Sequence, residues 1–184
     1  MPVPFLACMT LVASIYHLPP RVLPSIQAVE GGRPGLVHRN SNATEDLGVM
    51  QVNTLWLWPL ARYTRTTADT VYARLRDEPC YNIAAAGAIM RGYLNETGGD
   101  VMRAVGNYHS HTAELNLAYQ GLVMQSARRL FEPGTVPAPA GATVGGATVG
   151  GRVVGGVPVL RASATRTVAQ RIALQKRMLR RARG

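Results

Sequence analysis

Glu30 closes an apolar stretch, four residues after Ile26 and beside Val29, and Gly31 and Gly32 follow it at once. On a helix this spacing puts the carboxyl at the edge of a core and not on a solvated face. Burial disfavours the charged form, which suits a group that must donate a proton near neutral pH. Two more carboxylates, Glu45 and Asp46, follow within sixteen residues. Paired with Glu30, either could support acid–base hydrolysis, one group donating a proton to the leaving group and the other activating water. Asp46 equally suits a plainer role, as a turn or cap residue ahead of a helix carrying Met50 and Gln51. His38, His109 and His111 could suggest a metal, but a His-x-His pair without a cysteine or carboxylate framework is a poor ligand set. No metal and no cofactor is expected. Ser110 lies between two histidines but has no nucleophile elbow around it, which argues against Ser–His hydrolysis.

The elements that would hold these groups read mostly as helices. A short apolar helix is expected over residues 8–17, ended by Pro19-Pro20. The next runs from Pro20 to Glu30, with Val22, Ile26 and Val29 inward; proline suits its first turn, and Pro24 predicts a kinked start. Gly31-Gly32 stops it. Residues 31–47, rich in Gly, Asn, Ser and Thr, predict an irregular lobe or short hairpin. Helices follow over 49–63, 67–76 and 82–96, then over 101–108 behind a Gly98-Gly99-Asp100 turn and cap, and finally over 114–131. The expected fold is mainly α, with at most a small β element.

The 184 residues carry a net charge of +10, but this divides unevenly. Residues 1–132 hold eleven arginines and all ten acids, whereas residues 133–184 hold nine Lys/Arg and no acid. A nearly neutral globular region, 1–131, therefore precedes a basic tail. Residues 132–160 are low in complexity, with Gly141-Ala-Thr-Val-Gly145 repeated as Gly146-Ala-Thr-Val-Gly150, and predict a flexible linker. Residues 161–184 favour a basic, partly amphipathic helix or a disordered tail, with Val168, Ile172, Leu174, Met178 and Leu179 between the cations. Without an aromatic residue to stack bases, the tail is a poor single-strand binder, so nucleic acid is not the expected partner; an anionic surface fits it at least as well. The apolar run over residues 5–16 is too short to span a bilayer, which takes about 20 residues.

Four motifs occur in order: Glu30-Gly31-Gly32-Arg33-Pro34-Gly35; Gly48-Val49-Met50-Gln51-Val52-Asn53; Asn82-Ile83 with Gly87; and Tyr108-His109-Ser110. With them, residues 8–131 resemble the soluble-lytic-transglycosylase (SLT) domain family, whose fold is like goose-type lysozyme. They are most similar to the small members that accompany conjugation and secretion machines. The resemblance implies Glu30 as the catalytic residue and Met50, Gln51, Asn53, Tyr108 and His109 as substrate-contacting positions. Met50 would pack on the sugar, Gln51 would hydrogen-bond substrate and Tyr108 would orient Glu30, although a methionine also commonly fills core gaps. Two positions depart from the wider family: Gly31 stands where serine is usual, and His109 where the tyrosine motif has asparagine.

The implied reaction needs one carboxyl. Glu30 protonates the oxygen between N-acetylmuramic acid and N-acetylglucosamine, and the muramyl acetamido group stabilises the cationic centre. Glu30 then takes a proton from the sugar's C6 hydroxyl, which closes a 1,6-anhydro ring; such an intramolecular attack is fast only in the right geometry. The resemblance also pairs Cys8 with Cys80 as a disulfide, which on composition alone would read as buried thiols, and so implies an oxidising compartment: periplasm or cell envelope. No charged region precedes residues 5–16, so no export signal is visible there. Implied partners are peptidoglycan glycan strands and subunits of a conjugation or secretion apparatus. A non-catalytic glycan-binding or apparatus-docking protein on the same fold is the alternative from another class.

Overall fold

The computed structural model describes residues 3–41 and 43–132. The basic helix expected over 161–184, and the linker expected over 132–160 apart from Glu132, lie outside the described residues. Seven α-helices occur among the described residues: α1 (Leu6–Ile15), α2 (Val22–Glu30), α3 (Leu57–Thr64), α4 (Ala68–Asp77), α5 (Pro79–Glu96), α6 (Val101–His109) and α7 (Ala113–Phe131). Between α2 and α3 lie three short strands, β1 (Val37–Arg39), β2 (Glu45–Leu47) and β3 (Val52–Asn53), and a 3-10 turn, Thr54–Trp56. The strands form one antiparallel sheet in the order β1-β2-β3, with His38 opposite Asp46 and Asp46 opposite Asn53. The fold is mainly α with a small β element. No described helix is long and apolar enough to cross a membrane.

Helix α5 forms the central post, packing against α1, α4 and α6, while α7 lies across α2 and α6. Its buried residues include Ile83, Ala86, Met90 and Leu94, which join Leu23 and Ile26 of α2, Leu47 of β2 and Leu75 of α4 in one core. Several local predictions are met by side-chain caps. Thr67 accepts from the Thr70 amide and opens α4, and Asp100 accepts from the Arg103 amide and opens α6. Pro24 is the third residue of α2, and the first intrahelical bond there is Ser25 N–H to the Arg21 carbonyl. The missing proline N–H is one that no helix uses, so no bond is lost.

The helix expected over 49–63 is replaced by a turn, β3, the 3-10 turn and only then α3. Three local features divert the chain. Gly48 and Gln51 have φ of +66° and +49°, values that no α-helix allows. Asn53, itself extended, accepts from the Leu55 amide and caps the 3-10 turn. The backbone between them is satisfied from outside the segment, by Asn82 of α5. The Asn82 side chain is fully buried. Its amide nitrogen donates to the carbonyls of Leu47 (2.7 Å) and Leu75 (2.8 Å), and its oxygen accepts from the Met50 amide (2.8 Å). Helix α5 begins one turn earlier than expected because Pro79 occupies its first position, where a missing N–H costs nothing.

Cys8 of α1 and Cys80 of α5 form a disulfide, with Cα atoms 5.4 Å apart and a sequence separation of 72. It ties the first helix to the central one.

Two substitutions test these constraints. Asn82→Ala leaves two carbonyls and an amide buried without partners, each costing about 1–3 kcal/mol, so urea unfolding should report a loss of about 3 kcal/mol or more. Cys8→Ser with Cys80→Ser removes a long cross-link and should lower stability by about 2–4 kcal/mol in the same assay.

Candidate active site

Glu30 is the last residue of α2 and is partly buried. The helix stops there because Gly31 adopts φ +65° and donates its N–H to the Gln27 carbonyl at 2.8 Å, the left-handed closure that glycine makes without strain. Gly32 then presses on a different element. A β-carbon there would collide with the backbone oxygens of Gly48 and Val49. Only glycine lets the end of α2 sit directly on the turn that carries Met50 and Gln51. The Gln27 side chain also reaches over to the Gly32 carbonyl, at 3.3 Å.

The Glu30 carboxyl receives a hydrogen bond from the Tyr119 hydroxyl at 2.7 Å, across 89 residues of sequence. Tyr119 is 2% exposed, and His109 of α6 stacks on its ring with centroids 4.5 Å apart and planes 19° apart. The Tyr108 hydroxyl donates to the Met50 carbonyl at 3.0 Å. Helices α6 and α7 are themselves joined by buried Asn116, which donates to Asn107 Oδ1 (2.8 Å) and to the Ser110 carbonyl (3.1 Å). Contacts thus link the end of α2 with the 48–51 turn, the end of α6 and the middle of α7 in one place.

The positions singled out in the sequence behave differently. Tyr108 and His109 arrive at this junction. Gln51 is nearly buried, in the left-handed region, and donates from its side chain to the Gly48 carbonyl at 2.8 Å. Met50 exposes none of its side chain, so contact between that side chain and a ligand requires its neighbours to move. Asn53 is also fully buried, and its amide nitrogen donates to Asp46 Oδ1 (2.6 Å) and Thr44 Oγ1 (3.2 Å); it holds the sheet together. Tyr119 was not singled out. Its signal was its place on the buried stripe Asn116–Tyr119–Val123–Ser126, since a buried tyrosine hydroxyl usually has a partner.

The other two carboxylates are engaged within the small lobe. Asp46 lies in β2 as a buried residue, not as a cap, and accepts from Asn53 and from Asn40 Nδ2 (3.2 Å). Glu45 pairs with Arg39 at 3.2 Å and accepts from the Tyr72 hydroxyl at 2.7 Å. That hydrogen bond holds the Tyr72 hydroxyl above the ordinary tyrosine range. His111 contacts Glu96 Oε1 at 2.6 Å. No group of three or more His, Cys, Asp or Glu among the described residues is placed to hold a metal ion.

No protein-family model matches this chain, and no curated protein matches it.

The two glycines after Glu30 should respond differently to alanine. At Gly31 a β-carbon meets open space, so Gly31→Ala should cost only the left-handed backbone penalty, about 1–2 kcal/mol. At Gly32 it meets backbone and must part α2 from the turn, so thermal denaturation should show a larger loss, above about 2 kcal/mol.

Proposed function

We propose that the protein is a peptidoglycan lytic transglycosylase, cleaving the bond between N-acetylmuramic acid and N-acetylglucosamine. The observation that carries this reading is the pairing of one partly buried carboxyl, Glu30, with a buried tyrosine hydroxyl, while Glu45 and Asp46 are occupied in the sheet. A single acid suits a reaction whose nucleophile belongs to the substrate. Glu30 donates its proton to the glycosidic oxygen as the bond from the muramyl C1 breaks. The muramyl 2-acetamido group stabilises the cationic centre. The Glu30 carboxylate then accepts the C6 hydroxyl proton as the bond from that oxygen to C1 forms. The carboxylic acid is restored, the product is a 1,6-anhydro ring, and no water is consumed.

Hydrolysis in its common form uses a second carboxylate facing the reacting carbon. Asp46, with 3% of its surface exposed, is poorly suited to that role. The disulfide suits an oxidising compartment, and with this substrate we place the protein in the periplasm or cell envelope. Local opening of the wall for a conjugation or secretion apparatus is the physiological role that fits the sequence resemblance. A binding protein without activity is the alternative, and clearing of a peptidoglycan suspension separates the two.

Glu30→Gln keeps the shape of the side chain but cannot donate the proton, so turnover should fall by about 10²–10⁴-fold or more. Tyr119→Phe removes one hydrogen bond to the carboxyl, typically about 0.5–1.5 kcal/mol, so activity should fall by roughly 2–10-fold with an unchanged circular dichroism spectrum. Mass spectrometry of the products decides the reaction: anhydro-muropeptides are one water lighter than hydrolysis products. Reducing-end products alone would overturn the transglycosylase reading and leave Glu30 as the acid; full activity in Glu30→Gln would overturn the site.

A further inference from the structure

Large apolar side chains stand in solvent on two neighbouring helices. Phe5 at the α1 N-cap, Leu6, Leu11 and Ile15 of α1, and Trp58 and Tyr63 of α3 are all exposed; Leu11 keeps 62% of its surface, Ile15 59% and Trp58 73%. Leu11 and Ile15 are four residues apart and share the outer face of α1. The opposite face, with Met9, Val12 and Ala13, is buried. Helix α1 contains no charged residue, and a helix apolar on all sides normally has cover on all sides. Among the described residues nothing covers Leu11 and Ile15. Tyr16, just past α1, lines one cavity with Pro59, Leu60 and Tyr63 of α3, so the end of α1 lies beside α3.

The acids nearest this face, Asp77 and Glu78 beside the Cys8–Cys80 disulfide, are each paired with an arginine, Arg76 and Arg74. The first acid in the chain is Glu30, and none occurs between Asp46 and Asp69, whereas Arg62 and Arg65 flank Tyr63. The basic tail starts nearby. Arg21, six residues beyond α1, pairs with Glu132 at 3.5 Å and lies over the Phe131 ring at 5.2 Å. The chain that follows Glu132 carries nine Lys/Arg and no acid.

We propose that this face of α1 and α3, together with the basic tail, docks the protein on an anionic phospholipid surface. Apolar side chains enter the headgroup boundary, tryptophan and tyrosine sit at its level, and arginines meet the phosphates. One weak signal binds a bilayer only marginally; an apolar face combined with a polybasic segment holds it. A second copy of the chain is a poorer occupant, because it would bring Arg62 and Arg65 against their own equivalents.

The test is flotation of the full chain with vesicles of phosphatidylglycerol and phosphatidylcholine, 3:7, against phosphatidylcholine alone. Binding should be about tenfold or more stronger on the anionic vesicles and should weaken as salt screens the charges. Leu11→Gln with Ile15→Gln changes only exposed positions, so it should keep the wild-type melting temperature and reduce binding by about fivefold or more. In a Trp56→Phe background, Trp58 emission should move to shorter wavelength on the vesicles. Wild-type binding by the double variant would overturn the proposal, because the tail alone would suffice. Absence of binding by the full chain would overturn it too, as would a dimer in solution that the double variant converts to monomer. The proposal does not depend on the reaction: Glu30→Gln should bind these vesicles as the wild type does.

Discussion

Inside a protein the side chain of Asn82 has no water to fall back on, and its one acceptor and two donors must all find protein partners. They find them at Met50, Leu47 and Leu75, so a single buried amide holds β2, the turn after it and the end of α4 against α5. The turn could not be stable alone, because it has left the sheet ladder and an orphaned carbonyl or amide there would cost about 1–3 kcal/mol. Gly48 makes the approach possible, for a β-carbon on it would strike the Leu75 carbonyl and the Asn82 amide. The acid depends on this geometry at one remove. Gly32 rests on the backbone of Gly48 and Val49, so wherever Asn82 holds the turn, the end of α2 must follow.

Glu30 is thus fixed in two separate ways. Its backbone is placed by the glycine closure of α2 and by the turn beneath Gly32. Its carboxyl is aimed by Tyr119 of α7, a helix that packs against α2 but lies 89 residues further along the chain. A glutamate side chain has several rotatable bonds, and ordering it costs on the order of 1.5–2 kcal/mol of rotamer freedom. One hydrogen bond, worth about 0.5–1.5 kcal/mol net, offsets a good part of that. Tyr119 can serve because it is itself immobilised, buried to 2% exposure and stacked against His109, while Asn116 locks α6 to α7. Position and aim therefore draw on different helices, and a packing fault between α6 and α7 would reach the carboxyl without moving its backbone.

What the sequence made legible follows the range of the interactions involved. The stop at Gly31-Gly32, the Asp100 cap and the long last helix depend on residues within one turn of each other, and all three were readable. The 49–63 segment was not. Its periodicity suits a helix, but the bonds that decide its path come from Asn82, 32 and 35 residues away, and no local pattern carries that information. Asp46 illustrates the same limit. A lone Asp ahead of an expected helix reads as a cap, until Asn40, just past β1, and Asn53 of β3 arrive on either side and make it the centre of a buried amide cluster. Tyr119 lay in a correctly placed helix, yet nothing nearby said that its hydroxyl would meet a glutamate 89 residues earlier. The Cys8–Cys80 pairing is long-range as well, and it was legible only through the family resemblance.

The small lobe shows how differently its neighbouring acids are engaged. Two of the three acids in its neighbourhood stabilise the sheet. Asp46 is buried with an amide donor on each oxygen, a state in which a carboxylate is worth keeping only if both bonds persist. Glu45 spans from Arg39 to Tyr72 and ties β2 to α4. Recruiting either to activate water would require breaking contacts that hold the strands. Glu30 carries no such load for the sheet. It sits at a helix end outside the sheet, bonded to Tyr119 of α7, where a proton can come and go without unfastening the strands. A lone acid in that position can act twice in one turnover, first as donor and then as acceptor, provided the attacking group already belongs to the molecule being cut. On the reading proposed for this site, the C6 hydroxyl of the muramyl residue meets that condition, and bulk water does not.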